Sequence, residues 1–238
     1  MLMTPLAERV LYEDNHLLIV NKLPSEIVQG DKTGDTSLIE EVKQYLKFIY
    51  NKPGNIFAGL VHRIDRPVGG AVIFAKTSKA LSRMTELVKD RDVQKTYLAI
   101  VRNHPKEEDA SLEHWLLKNE AQNKSYVVDS TRKGAKLAKL DYRIIDKSAS
   151  FTLLEVHLHT GRHHQIRAQF AAIGCPILGD LKYGDKRSLA DSSIALHALR
   201  LKFIHPVTGK ELIVSALPSK GIQHWDIFAS TIDKHYFQ

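Results

Sequence analysis

The stretch from Leu60 to Lys76, LVHRIDRPVGGAVIFAK, constrains this chain more than any other. Ala71, Val72, Ile73, Phe74 and Ala75 have the β-branched and aromatic content of a short buried strand, and Pro67, Gly69 and Gly70 just before them demand a sharp turn. His62, Arg63, Asp65 and Arg66 are therefore expected on a stiff loop at the mouth of a strand. An acid flanked by cations stays ionised in such a place, which makes Asp65 a candidate for chemistry. A turn or capping aspartate satisfies the same local pattern, so the rest of the chain has to decide.

A length of 238 residues suits one large domain or two small ones, and 43% hydrophobic residues supply a core, which excludes a disordered chain. Lys+Arg 34 against Asp+Glu 27 gives +7, a balance that suits a polyanion and is also common in ordinary soluble proteins. The lone Cys175 excludes an intrachain disulfide, and its setting in IGCPIL reads as packing; a reducing cytoplasm fits. The opening MLMTPLAERVLYED lacks a signal-peptide pattern, and no apolar run reaches the length of a membrane span.

Val10 to Val20 reads as two short strands around an Asp14-Asn15 turn, closed by Asn21, Lys22 and Pro24. Ser37-x-x-Glu40 reads as a capping box opening an amphipathic helix on Leu38, Val42, Tyr45, Leu46 and Ile49. Thr77 or Ser78 caps a second helix with Leu81, Met84, Leu87 and Val88 on its apolar face. Lys95 to Val101 is a strand that includes Tyr97, by type a core residue with its hydroxyl satisfied at an edge. Residues 103–121 are polar and interrupted by proline, and read as an excursion from the sheet. Ser125 to Val128 and Ala138 to Ile145 read as strands, joined through the basic turn around Gly134.

Thr152 to His159 alternates, with Leu154, Val156 and Leu158 facing in and Glu155, His157 and His159 facing out. With His163 and His164, these histidines invite a zinc reading. No cysteine or H-E-x-x-H spacing supports it, and a polar sheet face along an anion-binding groove accounts for them, so no metal is expected. GRHHQIRAQFAAIGCPILG, from Gly161 to Gly179, reads as a basic helix start, with Ile166, Phe170 and Ile173 on one face and Gly174 and Pro176 ending the helix. Such a start suits a phosphate, and an ordinary surface helix fits it as well. Leu196 to Leu217 reads as a hairpin around His205 to Gly209.

Taken together, HRID before its glycines, Asn-Lys-x-Pro after an early strand, K-T-Y-L-A-I-V, G-R-H-H-Q-I-R followed by GDLKYG, and the closing hairpin resemble the RluA-type RNA pseudouridine synthases. The resemblance spans about residues 9–218. It implies an α+β pseudouridine synthase fold: a mixed, mainly antiparallel sheet of about eight strands with flanking helices and a central RNA-binding groove, in a single catalytic domain over residues 1–238. The short lead before Val10 leaves no room for an added N-terminal RNA-binding domain. The implied reaction turns a uridine of ribosomal or transfer RNA into pseudouridine, with no cofactor, no membrane and no obligatory protein partner, the RNA being a compact stem-loop.

The resemblance further implies roles for named residues. Asp65 is the essential acid, by covalent attack or by proton removal; both stay open. Arg167 is its expected cationic partner, Tyr97 stacks on the extruded base, and Arg63 fills the gap that the base leaves. His62, Arg162, His164, Gln165 and Lys182 are expected to contact RNA. Val68-Gly69-Gly70 departs from the family's usual Thr-Ser-Gly. The rival readings are a noncatalytic RNA-binding module of the same fold and, more distantly, a metal-dependent hydrolase. Asp65, Tyr97 and Arg167 in the family's order favour the enzyme, since a mere binding module gains nothing from an acid that repels phosphate.

Overall fold

The computed structural model describes residues 5–30, 34–51 and 53–236. Along the chain run β1 (Val10–Glu13), β2 (Leu17–Lys22), α1 (Leu38–Ile49), β3 (Gly59–Leu60), β4 (Gly69–Ala75), α2 (Ser78–Asp90) and β5 (Gln94–Arg102). Then come β6 (Asp109–Asn119), β7 (Lys124–Val128), β8 (Lys136–Lys147), β9 (Phe151–Leu158) and α3 (Gln165–Ala172). The chain ends with β10 (Leu196–Ile204), β11 (Glu211–Ser215), α4 (Gln223–Asp226) and α5 (Ala229–Tyr236). The class is α+β, with eleven strands among the described residues instead of the expected eight or so. Two compact units divide the chain: residues up to Gln94 with Ala198–Ala216, and Lys95–His197 with the residues from Leu217 onward.

In the first unit the strand order is β1-β2-β4-β10, with β3 also on β4 and β11 on β10. The early hairpin forms as its sequence suggests: Asp14 Oδ1 accepts the backbone N–H groups of His16 and Leu17, each at 2.7 Å, and β1 and β2 pair antiparallel. All seven residues of β4 are buried, and their register on β2 runs from Ala75 opposite Leu17 to Gly70 opposite Lys22. Leu17, Ile19, Ile73, Met84, Leu201 and Phe203 share one apolar cluster, against which Leu81, Leu87 and Val88 of α2 pack. Thr77 caps α2 as expected, its hydroxyl accepting the Ala80 N–H at 3.1 Å.

The capping box at α1 takes a different form. Ser37 is the N-cap residue but its side chain accepts no helix N–H; the Ile27 and Val28 carbonyls take the N–H groups of Leu38 and Ile39 at 2.8 and 3.2 Å. A neighbouring segment thus satisfies donors that a hydroxyl would otherwise cap.

The second unit has the order β5-β9-β8-β6-β7, antiparallel at every pairing. Here one expectation fails, because residues 103–121 are not an excursion: Asp109–Asn119 form β6, paired on both edges. Its exposed positions, Asp109, Ser111 and Glu113, carry the polarity, while Ala110, Leu112, His114 and Leu116 face inward. In β9 every residue from Thr152 to Val156 is buried, so Glu155 lies in the interior and not on a wet face. Helix α3 stops at Ile173, followed by Gly174 at φ +76°, and Cys175 is buried with its thiol pKa pushed up by that burial. Helices α4 and α5 have no counterpart among the elements expected from the sequence.

Candidate functional site

The loop that carries Asp65 is held from below. Lys22 ends β2, is 0% exposed, and gives its ammonium to three backbone carbonyls: Leu23 and Glu26 at 2.9 Å and Arg66 at 3.1 Å. Burial pushes its pKa down to about 7, against the opposing pull of Glu26 and Asp65. The Ser25 N–H also reaches the Arg66 carbonyl at 2.9 Å, and the Val68 N–H reaches that of Asp65 at 3.0 Å. Asp65 itself is partly buried, and Arg63 and Arg66 are exposed, Arg66 pairing with Asp35 at 2.6 Å. His62 turns inward, its Nε2 accepting the Ile73 N–H of β4 at 3.2 Å, so it braces the loop against the strand.

The departure at Val68-Gly69-Gly70 has a local reason. Val68 is buried, a place where an apolar side chain serves and a hydroxyl would need a partner. Gly70 is irreplaceable: its φ is +117°, and a Cβ there would stand 2.3 Å from the Ala198 carbonyl oxygen.

The second unit gathers the G-R-H-H-Q-I-R segment. Gln165 is buried with its amide engaged at both ends: Oε1 accepts the Thr160 hydroxyl at 2.7 Å and the Arg162 N–H at 3.0 Å, and Nε2 donates to the Lys139 carbonyl at 3.0 Å. Arg162 Nε donates to the Leu137 carbonyl at 2.9 Å. His164 takes left-handed backbone (φ 51°) and stacks on His163 with ring centroids 3.8 Å apart. Its Nδ1 lies 3.0 Å from the Tyr183 hydroxyl, whose oxygen also accepts the Ser125 N–H at 2.8 Å. Burial first, then Arg167 and its cationic neighbours, lower the His164 pKa to about 2, so this ring is held neutral beside the Tyr183 hydroxyl.

Arg167, buried, grips Asp180 with two parallel bonds, Nε to Oδ2 at 2.7 Å and Nη2 to Oδ1 at 2.9 Å, and its guanidinium lies 5.0 Å from the Tyr183 ring centroid. A fork held this way fixes the orientation of the guanidinium, whose charge the Asp180 carboxylate balances. Lys182 is exposed and lies 3.2 Å from the Asn123 carbonyl. Tyr97 is buried on β5, opposite Val156 of β9.

The structure thus groups His62, Arg63 and Asp65 in one unit, and Arg162, His164, Gln165, Arg167 and Lys182 with Tyr97 in the other. Three residues that hold these groups in place, Lys22, Asp180 and Tyr183, escape assignment from the sequence although they lie inside the Asn-Lys-x-Pro and GDLKYG segments. The remaining histidines are engaged elsewhere, His157 with Glu155 at 3.1 Å and His159 with Asp141 at 2.6 Å. Among the described residues no group of three or more His, Cys, Asp or Glu side chains converges as metal ligands must.

Residues 16–172 match the family model described as RNA pseudouridylate synthase. This chain belongs to the RluA-type RNA pseudouridine synthases. The ribosomal large subunit pseudouridine synthase C of Escherichia coli (strain K12) is 33% identical over 226 residues, covering 92% of this chain and 69% of that protein. Its namesake in Vibrio cholerae is 34% identical over 213 residues, or 87% of this chain and 64% of the relative. The solved structure titled Human RNA Pseudouridylate Synthase Domain Containing 4 shares the fold at TM-score 0.78 and 21% identity, over 96% of this chain and 93% of that one. Like its family, the synthase is an isomerase acting on RNA. No described helix is long and apolar enough to cross a membrane.

Proposed function

We propose that this synthase isomerises a uridine of large-subunit ribosomal RNA, in the cytoplasm, with Asp65 as the essential carboxylate and the whole chain acting as one catalytic domain. The identity to a large-subunit synthase across nine-tenths of the chain, with the HRID and G-R-x-H-Q-I-R segments intact, carries this reading. The reaction breaks the bond from ring nitrogen one to the anomeric carbon and joins that carbon to ring carbon five. Carbon five gives up its proton and nitrogen one gains one, so the product has the atoms of the substrate and no oxidant is consumed.

Asp65 either attacks the nucleoside or removes a sugar proton. Arg167, oriented by Asp180, is the cationic partner of Asp65, and Tyr97 stacks on the extruded base, offsetting part of the few kcal/mol that unstacking costs. Arg63, Arg162 and Lys182 carry the phosphate contacts. His62, His164 and Gln165 complete the RNA contacts, each also bonded to the protein through His62 Nε2, His164 Nδ1 and Gln165 Oε1. The RNA element is a stem-loop recognised by its shape and its unpaired bases.

Pseudouridines mapped in total RNA from cells with and without the gene test the proposal. One large-subunit position should be lost without the gene and restored by the wild-type chain but not by Asp65→Asn. A lost position in transfer RNA alone overturns the ribosomal assignment.

A further inference from the structure

From Val42 to Ile64 the chain has no Asp or Glu, while it carries Lys43, Lys47, Lys52 and Arg63 together with Tyr45, Phe48, Tyr50 and Phe57. The fold leaves much of this aromatic content uncovered. Phe48, at the end of α1, is 84% exposed, and Ile49, Tyr50 and Phe57 are 49%, 44% and 45% exposed. Tyr50 and Phe57 line a shallow cavity of about 170 Å³ with Leu46, Asn55, Ile56 and Lys76. None of these residues belongs to the loops that carry Asp65 or Arg167.

We propose that this patch is a second RNA contact, a stacking surface for unpaired nucleotides of the substrate other than the uridine that reacts. The inference rests on the RNA-modifying reading and extends it to a new surface. Exposed rings interleaved with lysines suit a strand whose bases offer π-faces and whose backbone offers phosphates. Lys43 and Lys76 are matched by Glu40 and Glu13, and the exposed Lys47 beside Phe48 is the cation that a phosphate would meet and an apolar protein segment would leave without a counter-charge. The Tyr50 ring is already fixed: its hydroxyl donates to Glu13 Oε1 at 2.6 Å, and the Lys76 ammonium lies 4.5 Å from its centroid. A base arriving there meets a surface with little left to order. Asn55 adds an amide that can both donate to and accept from a base edge.

The test uses the full chain and an oligoadenosine of about twelve nucleotides, within the span such surfaces cover and with no uridine to convert. By fluorescence anisotropy, Phe48→Ala combined with Phe57→Ala should weaken binding at least about fivefold, the lower end of losing one stacked base. Phe48→Trp should bind as tightly as wild type or more so. On a minimal hairpin around the modified uridine the double variant should keep its kcat, while KM rises on a longer RNA with single-stranded flanks. Unfolding midpoints matching wild type certify the fold, as expected for side chains this exposed.

Unchanged oligoadenosine affinity in the double variant overturns the proposal. So does a shift from dimer to monomer by light scattering with RNA affinity intact, which would make the patch a contact between copies of the chain. If wild type modifies no ribosomal uridine yet the variants still lose oligoadenosine binding, the ribosomal assignment falls and the stacking surface stands.

Discussion

Replacing Gly70 by alanine isolates how the turn after Asp65 is built. Two costs add at this position. Its φ of +117° lies well beyond the small left-handed basin near +57° that other residues visit, so alanine is strained by about 1–2 kcal/mol or more. The new Cβ would also stand 2.3, 2.5 and 2.7 Å from the oxygen, nitrogen and Cα of Ala198, all backbone atoms of β10. No rotamer relieves such a contact, so one strand has to move, at an overpacking cost of about 1–3 kcal/mol. Gly209, in the β10–β11 turn of the same unit, is the control: it has φ +69° and nothing within 4 Å of where a methyl would stand, so Gly209→Ala bears the backbone cost alone. Urea unfolding should place Gly70→Ala about 2–5 kcal/mol below wild type and Gly209→Ala about 1–2 below. Pseudouridine formation by whatever Gly70→Ala folds should also fall, because the strand that moves is the one behind the acid. Equal destabilisation in the two variants would refute the packing argument and leave only the backbone cost.

Asp65→Asn should abolish tritium release from labelled RNA while filter binding stays within about tenfold of wild type, since the amide keeps the shape and lacks the charge; substantial turnover in the purified variant would remove Asp65 from the mechanism. Tyr97→Phe should keep binding of the extruded base and Tyr97→Ala should lose about 1–3 kcal/mol of it, whereas equal loss in both would point to the hydroxyl. Glu155 is buried, and bonds from His157 and Tyr236, with Arg143 nearby, lower its pKa to about 2 against the effect of burial. A depressed carboxylate stabilises the fold fully above its unfolded pKa near about 4.3 and loses that contribution as pH falls toward about 2. Glu155→Gln should therefore unfold more easily than wild type at neutral pH, with the gap closing between about pH 4.5 and about pH 2; a constant gap in thermal melts across that window would reject the ionic role.

Strands are legible where period and residue type agree, as in β2, β4 and β5, whose β-branched runs carry both signals. The region where they disagree, β6, has its period intact, but half of its positions face water and carry Asp109, Ser111 and Glu113, so composition hides the alternation. At the loops, motifs locate the groups that react and not the groups that hold them. Lys22 and Asp180 look like surface residues by type, and only the fold surrounds one with three carbonyls and seats the other against Arg167. His164 and Gln165 are placed beside RNA by their motif, whereas the left-handed backbone at His164 and the bonds from these side chains to Tyr183 and Lys139 are announced by no pattern in the sequence.

The first unit is assembled from two distant pieces of chain, and this sets an order on its birth at the ribosome. Its β4 leaves the exit tunnel with β2 and β3 to pair with, but the neighbour that completes its other edge, β10, lies beyond the whole run of residues 95–197. At roughly 5–20 residues per second that interval lasts about 5–20 s. Throughout it the part of this buried strand's second edge that β3 does not pair stays open, a template for pairing with other nascent chains. A chain cut short between Arg167 and Ala198 never gains β10, so such products should be captured by chaperones or aggregate, even though they carry Asp65, Tyr97 and Arg167 intact.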